Sequence, residues 1–169
     1  TYTAELAAIA MLSAALEKNP ESFSQLANLP GWAAKVLELD GEIERTAQRY
    51  RFMDMCVVLG RGYNYATAYE LSLKLKELTY TSAEAYSSAD FQHGPIALIE
   101  QGFPVLAVAP GGKVNDNLME LLVNLRTARK ADLMVISDQD SALSLAQCPV
   151  RLPAGIHDWL SPIIGIIPG

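Results

Sequence analysis

The chain has 169 residues, half of them apolar, and carries a formal net charge of -6 with a pI near 4.9. That length sets one domain as the expectation, with enough apolar side chains for a sizeable core. The acidic surface repels phosphate backbones and argues against a nucleic-acid partner, so any phosphate site must be local. No apolar run reaches membrane-spanning length, and no membrane partner is expected. Cys56 and Cys148 sit in apolar, strand-like runs without a signal peptide. They read as reduced core residues of a cytoplasmic protein.

In chain order, the first segment, TYTAELAAIAMLSAAL, is Ala-rich and apolar but lacks a basic flank or a cleavage site. It reads as a helix cut out of something longer, and the last run, DWLSPIIGIIPG, stops in mid-pattern in the same way. Residues 3–18, 21–28 and 31–50 are predicted helices, with breakers at Pro20 and Pro30. MCVVLG (55–60) is a short apolar run ending in glycine, the pattern of a strand buried on both faces. Then follow a helix over 64–78, a strand over 104–110, a helix over 114–130, a strand over 132–137, a short helix over 139–146 and a final strand over 148–153. Alternating strands and helices imply a three-layer αβα fold, a parallel sheet flanked by helices, of the flavodoxin or Rossmann-like kind. Ligands in such sheets settle beyond the carboxyl ends of the strands. The expected division is a set of N-terminal helices over 1–50, packing on the domain and its partner, and an α/β domain over 51–169 that lacks its C-terminal tail.

The turn after the first strand, LGRGYNY, is a weak phosphate cradle. Tyr65 stands where a dinucleotide fingerprint needs a third small residue, and the loop offers only Arg61, Tyr63 and Asn64 as polar partners. A tight strand-to-helix turn that requires glycine accounts for Gly60 and Gly62. On the helix that follows, Glu70, Lys74 and Glu77 are spaced four and three apart and share one face. A solvated face with Glu–Lys pairs worth about 0.2–0.5 kcal/mol explains the spacing by itself. The alternative is chemical: the helix points away from the strand ends, so its last turn faces a second element or subunit. A carboxylate beside an ammonium there can shuttle a proton.

Residues 74–95, KLKELTYTSAEAYSSADFQHGP, are mostly too polar for a core. Ser87 and Ser88 could cap a short helix over 88–92. His93 before Gly-Pro is an ordinary loop residue when taken alone. With Glu77 it forms a chemically suited pair. Moving a proton between adjacent sugar carbons needs a carboxylate, and ring opening needs a group that titrates near neutrality.

The run from Leu59 to Pro110, with KLKE, AEAY and HGP at this spacing, closely resembles the second sugar-isomerase (SIS) domain of the aminosugar-phosphate enzymes. These include the isomerase half of glutamine:fructose-6-phosphate aminotransferase and the SIS-type glucosamine-6-phosphate deaminases. The resemblance implies two SIS domains in tandem, with the first expected upstream. It implies that Glu77 moves the proton between C1 and C2, that Lys74 supports it, and that His93 opens the sugar ring from the neighbouring subunit of a homodimer. Substrate would be a phosphorylated sugar or aminosugar, with Arg61, Ser87 and Ser88 as candidate contacts, and no metal or other cofactor is expected. The sequence departs from the family pattern in lacking a Ser/Thr-rich phosphate loop, a glutaminase domain and the tail that carries the synthase lysine. A phosphosugar-sensing module and a purely structural half of a dimer are the competing readings.

Overall fold

The computed structural model describes all 169 residues. Five parallel strands form one sheet in the order β2-β1-β3-β4-β5: β1 (Met55–Gly60), β2 (Ser82–Ser87), β3 (Pro104–Val108), β4 (Asp132–Ser137) and β5 (Cys148–Arg151). Strands 1, 3 and 4 are the continuous apolar runs read from the sequence. Their alternate residues feed two cores because successive side chains leave opposite faces. Val57, Leu59, Val105, Leu133 and Val135 enter one core, while Cys56, Val58, Leu106 and Ile136 enter the other.

The helices divide between those faces. On the first face lie α6 (Ser88–Phe91), α7 (Asn115–Thr127) and α8 (Asp140–Leu143), through Phe91, Leu118, Leu122, Leu125 and Ala142. On the second lie α3 (Leu29–Leu37), α5 (Asn64–Thr79) and α9 (Ser161–Gly165), through Val36, Ala68, Leu71 and Ile164. The two remaining long elements are α1 (Tyr2–Glu17), which packs Ala10 against Leu160 and Ile163, and α4 (Asp40–Tyr50). The latter is tied to the first residue of β4 by an Arg49–Asp132 ion pair of 2.8 Å. No helix is long and apolar enough to cross a membrane. Both cysteines are free, and burial pushes the Cys56 thiol up to about 12, as befits an unreactive core residue.

Several expectations are corrected. The helix predicted over 31–50 is two helices, α3 and α4, broken at Glu38–Leu39. Pro20 and Pro30 mark the helix boundaries, as expected, from within the first turns of α2 (Pro20–Leu26) and α3, where the missing N–H costs nothing. Asn19 Oδ1 caps α2 by accepting from the Glu21 N–H at 3.0 Å. The stretch 82–87, set aside as too polar, is the edge strand β2. An edge tolerates Ser82 and Glu84 in solvent, while the alternate residue Ala83 is buried against the sheet. Ser87 stands at the N-cap of α6 without making a side-chain cap bond.

The first strand joins α5 through a turn that leaves no room for a side chain. A Cβ on Gly60 would stand 2.2 Å from the Asn64 carbonyl oxygen, and Gly62 takes φ +56. Both glycines of this loop are therefore structural. Gly60→Ala is expected to destabilise the chain by at least about 1–3 kcal/mol through a forced backbone shift. A urea midpoint indistinguishable from the parent would show that the turn relaxes freely.

Candidate functional site

The last two turns of α5 assemble the ionic group predicted from spacing. Lys74 Nζ stands 2.7 Å from Glu77 Oε2 and 3.8 Å from Glu70 Oε1. Glu70 is the deeper carboxylate, its side chain 17% exposed against 50% for Glu77 and 45% for Lys74. The hydrogen bond to Glu77 raises the Lys74 pKa above its ordinary value. Lys74 thus stays a cation at neutral pH and can balance negative charge, but it is no base. Glu77 keeps its Oε1 free of any protein hydrogen bond and opens to solvent, so it can accept a proton from a bound molecule. Such an exposed pair contributes at most about 1 kcal/mol to stability.

His93 follows α6 in an exposed turn, its N–H donating to the Asp90 carbonyl at 3.1 Å, ahead of Gly94 and a single 3-10 turn over Pro95–Leu98. The neighbours that fix this segment, Phe91, Ile96 and Ile99, pack on the first face of the sheet, whereas α5 packs on the second. The sheet therefore stands between His93 and Glu77 of one chain, and the structure does not bring them together.

Arg61, Ser87 and Ser88 gather elsewhere again, at the carboxyl edge. Arg61 Nη1 donates to Ser87 Oγ at 3.1 Å, and Ser88 Oγ donates to Asn117 Oδ1 at 2.9 Å. Ser88 is fully buried, so its hydroxyl is committed to joining α6 to α7 and offers no open face to a ligand. Asn64 opens α5 at this edge and Glu77 lies 13 residues along the helix, about 20 Å away at 1.5 Å per residue. The six candidate residues thus form three separate groups in one chain.

Beyond Asn64, sequence reasoning missed further polar residues at the carboxyl edge. Asp138 Oδ1 accepts from the Gly111 N–H at 2.7 Å, and Asn64 Nδ2 donates to Ser161 Oγ at 2.7 Å. Asn115 Oδ1 is buried without a hydrogen-bond partner. The available signal was PGGKVN, a glycine pair directly after a strand and ahead of a helix. Its partners Asp138 and Asp158 are distant in sequence, so no local pattern joins them. No group of three or more His, Cys, Asp or Glu side chains is arranged to hold a metal ion.

Comparison with known proteins adds a family to this geometry. The SIS domain model matches residues 54–167. The chain is 37% identical over 171 residues to the glutamine–fructose-6-phosphate aminotransferase (isomerizing) of Legionella pneumophila strain Lens, covering 99% of this chain and 28% of that protein. The enzyme of the same name from Acidithiobacillus ferridurans is 38% identical over 183 residues, with 99% and 29% covered. The chain thus spans less than a third of the length of these curated relatives. Among solved structures, the C-terminal domain of glucosamine-fructose-6-phosphate aminotransferase from Francisella tularensis superposes with a TM-score of 0.75 at 31% identity, covering 86% of this chain and 41% of that one. Glucosamine-6-phosphate deaminase from Thermotoga maritima, with a TM-score of 0.70 at 22% identity over 93% of this chain and 44% of that one, shares the fold. With a five-stranded parallel sheet covered on both faces and a family match over most of its length, the chain belongs to the SIS domain family.

Proposed function

We propose that this chain is the C-terminal sugar-isomerase unit of an aminosugar-phosphate enzyme. It performs the aldose–ketose proton transfer that accompanies the interconversion of fructose 6-phosphate and glucosamine 6-phosphate, in which one ammonia is taken up or released against one water. The observation that carries the reading is the Lys74–Glu77 pair, an accessible carboxylate beside a cation at 2.7 Å, in a chain that matches aminotransferases of that specificity over 99% of its length. That the matched relatives are named as enzymes favours catalysis over the sensing and purely structural readings.

In this reading Glu77 takes the proton from one of the two carbons C1 and C2 and returns it to the other. The negative charge that develops on the neighbouring oxygen meets the Lys74 ammonium. Ring opening needs a group that both gives and takes a proton near neutral pH, which is the part of His93. Because the sheet separates His93 from Glu77 within a chain, the His93 of a second copy supplies that group, and the working unit is a homodimer. The substrate phosphate is held by a first SIS domain upstream, since the Glu77 end of α5 carries no cluster of amides and hydroxyls suited to it. Residues 1–50 form the helical part that packs on the SIS unit and its partner, 51–169 the unit itself, and the enzyme works in the cytoplasm.

The exchange Glu77→Gln, made in the longer protein that contains this chain, keeps the shape of the side chain and removes the base. Turnover of fructose 6-phosphate is expected to fall by about 100-fold or more, the usual scale of an acid–base contribution. Thermal stability should stay unchanged, because the pair is half exposed. Steady-state rates within threefold of the parent would return Glu77 to the role of a solvated surface charge.

A further inference from the structure

The surface around the Glu77 end of α5 is apolar in a place that the fold leaves open to water. Phe52, Met55, Leu78 and Tyr80 are each more than half exposed, Tyr80 at 91%. They lie on two segments that adjoin at the start of the sheet. Met55 pairs with Ser82, the Ser82 N–H donates to the Asp54 carbonyl at 2.8 Å, and Thr81 Oγ1 donates to the Met53 carbonyl at 3.3 Å. Leu78 follows Glu77 directly in the last turn of α5, and Tyr80 caps that helix with φ +58. The left-handed conformation is unfavourable for a residue that carries a Cβ, and here it holds an aromatic ring out in water. Single exposed apolar residues are normal on a surface, whereas a group of large ones marks an interaction site.

Charges rim this patch. Segments 51–55 and 74–80 carry three cations, Arg51, Lys74 and Lys76, against two carboxylates, Asp54 and Glu77. Lys74 and Glu77 pair with each other, while Arg51 and Lys76 are exposed and make no ion pair. The Arg51 guanidinium lies 4.5 Å from the centre of the Phe52 ring, so cation and apolar surface are contiguous. The segment around His93 has the opposite character. Residues 90–100 hold two carboxylates, Asp90 and Glu100, and no cation besides the histidine. Both carboxylates are exposed and without an ion pair. Phe91 and Ile99 turn inward, but Leu98 is left 57% exposed. One chain thus carries an apolar patch with unpaired cations and an exposed leucine flanked by unpaired anions, on segments that pack on opposite faces of the sheet.

We propose that this patch is the seat of a second copy of the chain, and that it takes that copy's segment 90–100. Leu98 of the second copy packs on Phe52, Leu78 and Tyr80, while its Asp90 and Glu100 face Arg51 and Lys76. In a two-fold dimer each copy gives one patch and one segment, so the contact is made twice. The proposal rests on the reading that the His93 of a second copy serves Glu77, and it names the surface that holds that histidine there.

The test is made on the longer protein, by sedimentation equilibrium and by specific activity on dilution. Leu78→Asp and Leu98→Asp should each raise the dimer dissociation constant by about 100-fold, since one buried leucine is worth about tenfold or more and the contact occurs twice. The specific activity of each should fall on dilution at concentrations where that of the parent holds constant. Reversing both cations, Arg51→Glu with Lys76→Glu, should weaken the dimer. Adding Asp90→Lys and Glu100→Lys to the same chain should restore it, which misfolding of the first variant does not allow. Glu77→Gln should dimerise like the parent, so failure of the catalytic reading and failure of this surface give different results. The proposal is overturned if Leu78→Asp or Leu98→Asp dimerises like the parent, or if the fourfold charge reversal associates no better than the twofold one. A lowered melting temperature with the dimer intact assigns the patch to another part of the same polypeptide and overturns it equally.

Discussion

A parallel sheet has to be covered on both faces, and in this chain that requirement decides where every polar group of interest ends up. The chain leaves β1 on the second face as α5 and comes back from β2 on the first face as the segment around α6. Glu77 and His93, only 16 apart in sequence, thereby stand on segments that pack on opposite faces of the sheet. In the proposed function the site draws them from different chains, and each of them is exposed, as that proposal needs.

The same requirement separates the Glu77 end of α5 from the carboxyl edge. The helix opens next to the strand ends, at Asn64, and runs back toward the start of the sheet before Glu77 is reached. The strand-end crevice, where α/β proteins ordinarily bind ligands, therefore lies apart from Glu77.

Much of the fold is legible in the sequence because it rests on local patterns. MCVVLG and the Leu133–Ile136 run of DLMVIS are apolar without interruption, so they read as central strands. The helices α5 and α7 carry apolar residues at three- and four-residue spacing. The edge strand SAEAYS escapes this logic, since its small and polar residues suit a position that is paired on one side only. The two-residue break between α3 and α4, Glu38–Leu39, contains no proline or glycine to announce it. In the site, the Glu70–Lys74–Glu77 face follows from helical spacing, but its chemical meaning comes from resemblance, because the same spacing serves a solvated helix equally well. Ser88 illustrates the limit in the other direction. A serine in a polar stretch looks available, yet the fold buries it under α7 with its hydroxyl already committed to Asn117.

The separation of Glu77 from His93 is the central claim, and it can be measured directly in the longer protein. Chains carrying Glu77→Gln and chains carrying His93→Ala should each be inactive alone. Refolded together, they pair at random into dimers of which half are mixed, and each mixed dimer contains one site with both residues intact. About a quarter of the parent activity should therefore return. If the mixture stays inactive while mixed dimers are shown to be present, Glu77 and His93 do not meet across the dimer, and the account is contradicted.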